Sequence, residues 1–519
     1  MVSRIGGMRG RLANGALGVL LVLGMAVTGC STLNSAGDKI SNVFTGGSSP
    51  AAGSPGYVSG FLGGVVVDEP RAALVARQVL SSGGTAADAA VAAAFMLSVT
   101  LPSRAGLGGG GACMTYDPDR HSANGGVPEA LLFVPPPGGG SGERPAAVPA
   151  MARAMYALNA RYGRMQFDAL TIFAEQGARL GVQVSRAFAS DLAVVAGPLS
   201  ADPVARAVFL QPNGQPLGEG MALMQPDLGA TLAQMRVAGV GDPYNGVLAN
   251  RLVAAAAQAG GGLTMAALRD TRPSFAPAII VDAPGHDRAA FLPPPADGGL
   301  AAAAAFASLT ATPNDLRAAQ NRALAVAATW RGQGGQGNPA ALLAMAGPVQ
   351  AAPLPALPAS TNLVTLDRDG RAVACSFTMN NLFGTGRIAP GTGVLLAASP
   401  SWMAPPLLVA GIGWNPNTFA FHAAVAAAGQ EGAPLAGADV LMQSLRAPRP
   451  LVFDSQARGG NTAIDLTPPT TVNLPVNLRP APEPGRADVI GCAGYLPGDK
   501  GSCSWSIDPR NAGLAVGSN

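Results

Sequence analysis

From Pro70 to Val99 the chain reads Arg-Ala-Ala-Leu-Val-Ala-Arg-Gln-Val-Leu, then Ser-Ser-Gly-Gly, then an alanine-rich run ending Phe-Met-Leu-Ser-Val. Alanine is the best helix former and a double glycine is a breaker, so this stretch predicts two helices with a break between them. Gly106 to Gly111, followed by Ala-Cys-Met-Thr-Tyr, predicts a flexible loop feeding a strand whose neighbours approach closely. Without a Walker lysine this glycine run is not a phosphate loop. Pro135 to Gly142 is a Pro/Gly loop, and Val148 to Arg161 and Phe167 to Leu180 have helical spacing. Similar helices, broken by Gly and Pro, continue to about Trp330. Phe291-Leu-Pro-Pro-Pro-Ala-Asp-Gly-Gly299 predicts a stiff strand-to-helix corner, and turn-rich Gln333 to Pro358 an exposed connector open to cleavage. Leu363 to Met379 predicts two strands joined at Asp369-Gly370, a hairpin signal. No solenoid-type repeat is present.

The first residues follow a different pattern. Arg4, Arg9 and Arg11 precede an apolar run from Ala16 to Val27, the order of an export signal and too short for a stable span. The run ends Val27-Thr28-Gly29-Cys30, which resembles a lipobox, so residues 1–29 are expected to be removed and Cys30 to carry the lipid. Residues 30–57, rich in Ser, Gly, Pro and Ala, then form a tether from the membrane. Ser31 after the anchor fits delivery to the outer membrane, facing the periplasm. Outside the cytoplasm thiols persist as disulfides, so Cys492 and Cys503, bracketing a Gly/Pro-rich loop, are expected to bond. Cys113 and Cys375, in apolar strand-like runs, are expected to be buried as free thiols.

Length and charge narrow the classes. With 519 residues the chain can bury a large core within one domain. The net charge is +3 with 12% charged residues and no basic run, which argues against nucleic acid as a partner. No cofactor is expected. His121, His286 and His422 make no metal spacing or triad, so no metal is expected, and His422, in Phe-Ala-Phe-His-Ala-Ala-Val, is read as a core residue on an apolar helix. A Gly-x-Ser-x-Gly elbow is absent.

Taken in order, these segments resemble the gamma-glutamyltransferase (gamma-glutamyltranspeptidase) family of N-terminal-nucleophile hydrolases. Leu80 to Gly111, with Asp88, looks like the family's Gly-Gly-Asn-Ala-Val-Asp-Ala-Ala helix and following glycine strand. Val148-Pro-Ala, Tyr162-Gly163, Gln225-Pro-Asp-Leu228, Tyr244-Asn-Gly246, Gly261-Gly-Leu-Thr264, Pro294 to Gly299 and Asp508-Pro-Arg510 follow collinearly. The resemblance implies a four-layer αββα sandwich, α/β in class. It also implies a precursor that cuts itself into a heterodimer, and a small-molecule amide or gamma-glutamyl substrate. A hydroxyl is a poor nucleophile, but a neutral α-amine with pKa about 8 can take its proton, and scission creates that amine. Matching Leu366 to Val373, Thr378-Met-Asn380 and Phe383-Gly-Thr-Gly386 to the family places Ser360 at the nucleophile, with Thr361 beside it as the other candidate hydroxyl and as a candidate substrate-binding residue. The scissile bond is then Ala359–Ser360, dividing a large-subunit region, 58–359, from a small-subunit region, 360–519. Thr378 is expected to hydrogen-bond the nucleophile and Asn380 to hold substrate or the free amine. Against this stands the plainer reading that Ser360-Thr361 is the polar start of a strand and that Asn380 caps a turn.

Several positions depart from the family. The nucleophile threonine is replaced by serine, and the histidine after Thr-Thr by Asn362. The family's carboxylate-clamping arginine has no counterpart in Asn124 to Ala130; Arg104 is a candidate substitute, or a loop-packing arginine. Where the family binds the substrate amine, this chain has Ala397-Ala-Ser-Pro-Ser-Trp402. The oxyanion glycine pair corresponds at best to Gly411-Ile-Gly413. Trp402 and Trp414 either line a more apolar pocket or belong to surface and core. Two readings result: a self-processing amide hydrolase or acyltransferase of the envelope, or a noncatalytic lipoprotein that keeps the scaffold for binding or structure.

Overall fold

The computed structural model describes residues 60–344, 354, 359–402, 404–446 and 485–518. The export signal and the whole tether, Cys30 included, lie outside the described residues, as does most of 345–358. Among the described residues no helix is long and apolar enough to cross a membrane.

Two antiparallel sheets form the centre. The strands are β1 (Gly63–Val67), β2 (Gly110–Tyr116), β3 (Glu129–Phe133), β4 (Ser274–Pro277), β5 (Ile279–Asp282), β6 (Arg288–Phe291), β7 (Ser360–Asp367), β8 (Ala372–Thr378), β9 (Val409–Asn415), β10 (Ala420–Ala428), β11 (Arg486–Leu496), β12 (Cys503–Ser506) and β13 (Leu514–Ser518). The first sheet has seven strands in the order β13-β1-β7-β8-β2-β3-β4, and the second six in the order β12-β11-β10-β9-β6-β5. Strand alternation sends Val364, Leu366, Ala372, Ala374, Ala112 and Met114 towards the second sheet, where they meet Ala410, Ile412, Trp414, Phe421, Ala424 and Ile490 in one buried core. Trp414 is therefore core, whereas Trp402 is exposed.

Helices cover the outer faces. Over the first sheet lie α1 (Pro70–Ser81) and α2 (Ala86–Thr100), the two helices the alanine pattern predicts, broken at Gly83-Gly84. All of α2 is buried, which is why it lacks an amphipathic period. Thr85 and Asp88 form a capping box, and Asp88 also accepts the Arg164 and Met165 amides, tying α2 to the turn after α4 (Met151–Tyr162). The short α3 (Pro102–Ala105) follows α2, and α5 (Phe167–Leu180) and α6 (Arg186–Ser200) follow α4. Over the second sheet, α7 (Asp297–Ala311), α8 (Leu316–Gly332) and α9 (Ala433–Arg446) pack on Ala289, Val409, Val425 and Val489. The layers are thus αββα, the expected sandwich. The proline corner before α7 and the Asp369-Gly370 hairpin are where the sequence predicts them.

Two readings are corrected. Cys113 and Cys375 are bonded rather than free: β2 and β8 place them directly opposite, a pairing hidden by a sequence separation of 262. His422 lies on a strand, β10, and not a helix. Alanine favours helices, but a strand covered on both faces by the first sheet and α9 accommodates small residues throughout, and tertiary packing overrides propensity. Cys492 and Cys503 are bonded across β11 and β12.

Candidate active site

The site forms where β7 begins. In register β1 ends at Val67 opposite Leu363, so Ser360, Thr361 and Asn362 run past its end while β8 still flanks them through Thr378, Phe377 and Ser376. On the side that β1 leaves, a carboxylate substitutes for a strand: Asp68 Oδ2 accepts the Asn362 amide at 2.8 Å and Thr361 Oγ1 at 2.9 Å. Asn511 Nδ2 donates to Asp68 Oδ1 at 2.7 Å and to Asp488 Oδ1 at 3.1 Å, fastening this turn to β11. Burial, and then the neighbouring Asp68, push Asp488 well above the carboxylate range, because two buried carboxylates cannot both ionise cheaply.

Alternation separates the two hydroxyl candidates. Ser360 shares the inter-sheet face with Asn362, Val364 and Leu366, whereas Thr361 shares the opposite face with Thr365, whose hydroxyl donates to Ala86 of α2. Thr361, fully buried and held by Asp68, is not placed to bind substrate as expected from its position beside Ser360. Its hydroxyl serves the scaffold, which leaves Ser360 as the residue at the proposed scission point.

Thr378 lies opposite Ser360. Its hydroxyl donates to the Ala359 carbonyl at 3.1 Å and accepts the Asn380 amide at 2.9 Å. The contact is to the carbonyl of the expected scissile bond rather than to the nucleophile's hydroxyl. A donor there withdraws electron density from the carbonyl carbon and favours attack. Asn380 is fully buried at φ 54°, its Nδ2 donating to the Ala398 and Pro135 carbonyls, while Oδ1 has no partner among the described residues. The following loop is fixed by the Phe383 amide donating to the Ser103 carbonyl at 2.8 Å. Glycine is required at Gly384: φ is +55° and a Cβ would lie 2.2 Å from the Leu396 carbonyl oxygen.

Arg104 is brought to the site, but not as a free clamp. Its Nε and Nη2 form a bidentate pair with Asp191 at 2.8 and 2.7 Å, and Nη1 donates to the Ser360 carbonyl at 3.2 Å. With side-chain exposures of 12% and 5%, this pair is held inside the protein. Ser103 also donates to Asp191, at 2.6 Å, so one carboxylate of α6 organises both the Arg104 contact and the loop after Asn380. Neither Asp68 nor Asp191 stood out in the sequence, where the only signal was an acid beside an apolar run.

The Gly411–Gly413 pair is a correction. β9 is flanked on both sides, by β10 and β6, so amides along it point into ladders. These glycines face the helix layer, where a Cβ would lie 3.0 Å from Phe291 at Gly411 and 2.5 Å from Leu445 at Gly413. Close packing, not an oxyanion hole, explains them. Among the described residues no group of three His, Cys, Asp or Glu side chains is arranged to hold a metal. His422 belongs to the second sheet, where its Nδ1 pairs with Asp287 at 2.6 Å and Tyr495 donates to the same carboxylate.

Four αββα layers, with a hydroxyl residue opening an inner strand, define the class as the N-terminal-nucleophile hydrolase fold. Residues 72–328 match the family model described as gamma-glutamyltranspeptidase, and this part of the chain belongs to that family. It is 34% identical over 215 residues to glutathione hydrolase 7 of Bos taurus, an alignment spanning 39% of this chain and 31% of the relative. It is 30% identical over 253 residues to the glutathione hydrolase proenzyme of Bacillus subtilis (strain 168), spanning 46% of this chain and 43% of the relative. The chain thus matches less than half the length of either relative. In fold it is similar to cephalosporin acylase from Bacillus halodurans, with a TM-score of 0.66, 19% identity, and coverage of 90% of this chain and 98% of the other.

Proposed function

We propose that the chain is a self-processing amide hydrolase or acyltransferase acting on gamma-glutamyl compounds of the glutathione type, exported and lipid-anchored through Cys30 in the bacterial envelope. Scission at Ala359–Ser360 generates two associated polypeptides and gives Ser360 the α-amine that serves as its base. The observation that carries this reading is the Thr378 hydroxyl, oriented by the Asn380 amide and donating to the carbonyl of that one bond. The relatives named as glutathione hydrolases support the substrate class, and the proenzyme name of the Bacillus subtilis relative supports processing.

The test is direct. Purified mature protein run on a denaturing gel is expected to give two fragments, the smaller beginning at Ser360 by N-terminal sequencing, and to release chromophore from a gamma-glutamyl anilide. Ser360→Ala is expected to remain whole and inactive. A wild-type chain that stays intact and inactive rejects the reading. It would favour a noncatalytic envelope protein, for which the specific support is Arg104, committed to Asp191 and to backbone rather than free for a substrate carboxylate.

A further inference from the structure

Asp488 is an acid in an apolar layer. It stands on β11 opposite Ala426 of β10 and shares a face with Ile490, so its carboxyl points between the two sheets. There it meets Asp68, which follows β1 in the first sheet, and the two buried carboxyls are in hydrogen-bond contact. Two carboxylates only accept, so such a contact requires a proton on one of them. The surrounding donors show which. Asp68 accepts at both oxygens, from Asn511 Nδ2 at Oδ1 and from the Asn362 amide and Thr361 hydroxyl at Oδ2, the environment of an anion. Asp488 accepts at Oδ1, from the Asp508 amide and Asn511 Nδ2 at 3.1 Å each, while its buried Oδ2 has no donor among the described residues. Of the other charged groups here, Asp508 opposes a second anion and forms a bidentate pair with Arg510 at 2.9 and 2.7 Å. Glu69, beside Asp68 in sequence, accepts the Ala72 amide and the Thr100 hydroxyl, and Arg486 sits two residues before Asp488 on β11.

We infer that Asp488 is a positioning residue for Ser360: it holds a proton on Oδ2, donates it to Asp68, and so fixes the carboxylate that grips the start of β7. The inference rests on the reading of Ser360 as the self-processing nucleophile. Beyond the end of β1, Asp68 takes the place of a neighbouring strand by accepting the Asn362 amide, two residues from Ser360. That grip is only as firm as the hold on Asp68 itself, which Asn511 supplies from one side and the Asp488 proton from the second sheet. Burial first, and then the charge and hydrogen bond of Asp68, favour a proton on Asp488. Where pH is high enough to remove it, two buried carboxylates repel, Asp68 shifts, and the start of β7 is released. A misplacement of about 1 Å at a reacting centre costs about 100-fold in rate, so a small shift is enough to be read in the chemistry.

The experiment follows appearance of the cut fragments in full-length wild type, Asp488→Asn and Asp488→Leu from neutral to alkaline pH, with a thermal melt and an infrared spectrum of each. Asparagine offers a permanent Nδ2 donor in place of the carboxyl proton and keeps Oδ1 for the Asp508 amide. Asp488→Asn is therefore expected to cut at the wild-type rate at neutral pH and to go on cutting at alkaline pH where the wild type slows. Leucine suits the apolar layer but donates nothing, and is expected to cut about 10- to 100-fold more slowly throughout. In the infrared, wild type at neutral pH should show a protonated-carboxyl band that Asp488→Asn removes. If Asp488→Asn keeps the alkaline loss, cuts as slowly as the leucine variant, or removes no such band, the pair shares no proton and the inference is overturned. A folded Asp488→Leu that cuts at the wild-type rate overturns the positioning role; should that variant not fold, the asparagine comparison decides alone. A wild-type chain that never cuts removes the underlying reading and the positioning role together, an outcome distinct from variants that cut as the wild type does.

Discussion

Thr378→Val isolates the hydrogen bond on which the proposed chemistry depends. Valine nearly matches threonine in shape, so the β7–β8 pairing survives while two contacts go: the 3.1 Å bond to the Ala359 carbonyl and the 2.9 Å bond from the Asn380 amide. The first loss acts on the barrier. Removing one preorganised donor from a developing oxyanion costs about 100- to 1,000-fold in rate. The second acts on stability, because the Asn380 amide is left buried without an acceptor, at about 1–3 kcal/mol. The two effects are separable by following fragment formation from newly made protein at a temperature well below its melt, with folding checked by circular dichroism. Thr378→Ser, which keeps the donor, should cut within about tenfold of wild type. A folded valine variant that cuts at the wild-type rate would show that the Ala359 carbonyl is not activated by Thr378, and the proposed mechanism would lose its central contact.

Other expectations follow from the surrounding network. Asp191→Asn removes the carboxylate charge that Arg104 pairs with inside the protein; a stability loss of about 3 kcal/mol and slower fragment formation are expected, read by chemical denaturation and gel. Asp367, buried beneath α2, is pushed up to about 6 by desolvation despite Arg371 and backbone donors. Its folded form therefore holds a proton more tightly than the unfolded chain. Stability should fall as pH rises from about 4 to about 6, by up to about 3 kcal/mol, and be flat above that; Asp367→Asn should lose this slope in paired denaturation curves. Cys375→Ala should cost about 2–4 kcal/mol under oxidising conditions and nothing beyond the wild-type loss under reductant.

What the sequence made legible was local. The alanine runs of α1 and α2, the Asp369-Gly370 hairpin and the proline corner before α7 carry their signals within a few residues, and the structure has each of them. The failures came where partners are distant or where burial is two-sided. Alanine-rich β10 resembled a helix because nothing in its own residues announces a second sheet and α9 against its faces. Asp68 lies 293 positions from Thr361, and Asp191 lies 87 from Arg104, so neither could be joined to the site by spacing. Gly411 and Gly413 look like an amide pair in one dimension, yet a strand with neighbours on both sides has no amides to spare.

The uncut chain also suggests why, on the proposed reading, the same residues would serve scission and turnover. The Thr378 hydroxyl is occupied by the Ala359 carbonyl, which on the proposed reading stands where a substrate amide would lie. On the proposed reading, cutting removes that carbonyl as a carboxylate and leaves the Thr378 hydroxyl, still held by the Asn380 amide, facing the space it vacates. Arg104 remains on the Ser360 carbonyl and Asp68 on the Asn362 amide, so the strand start is held from its downstream side and has no need of the segment before it. Scission then exchanges an internal amide for an external one against an unchanged set of donors. A variant that weakens Thr378 should therefore slow processing and the hydrolysis of added substrate in parallel.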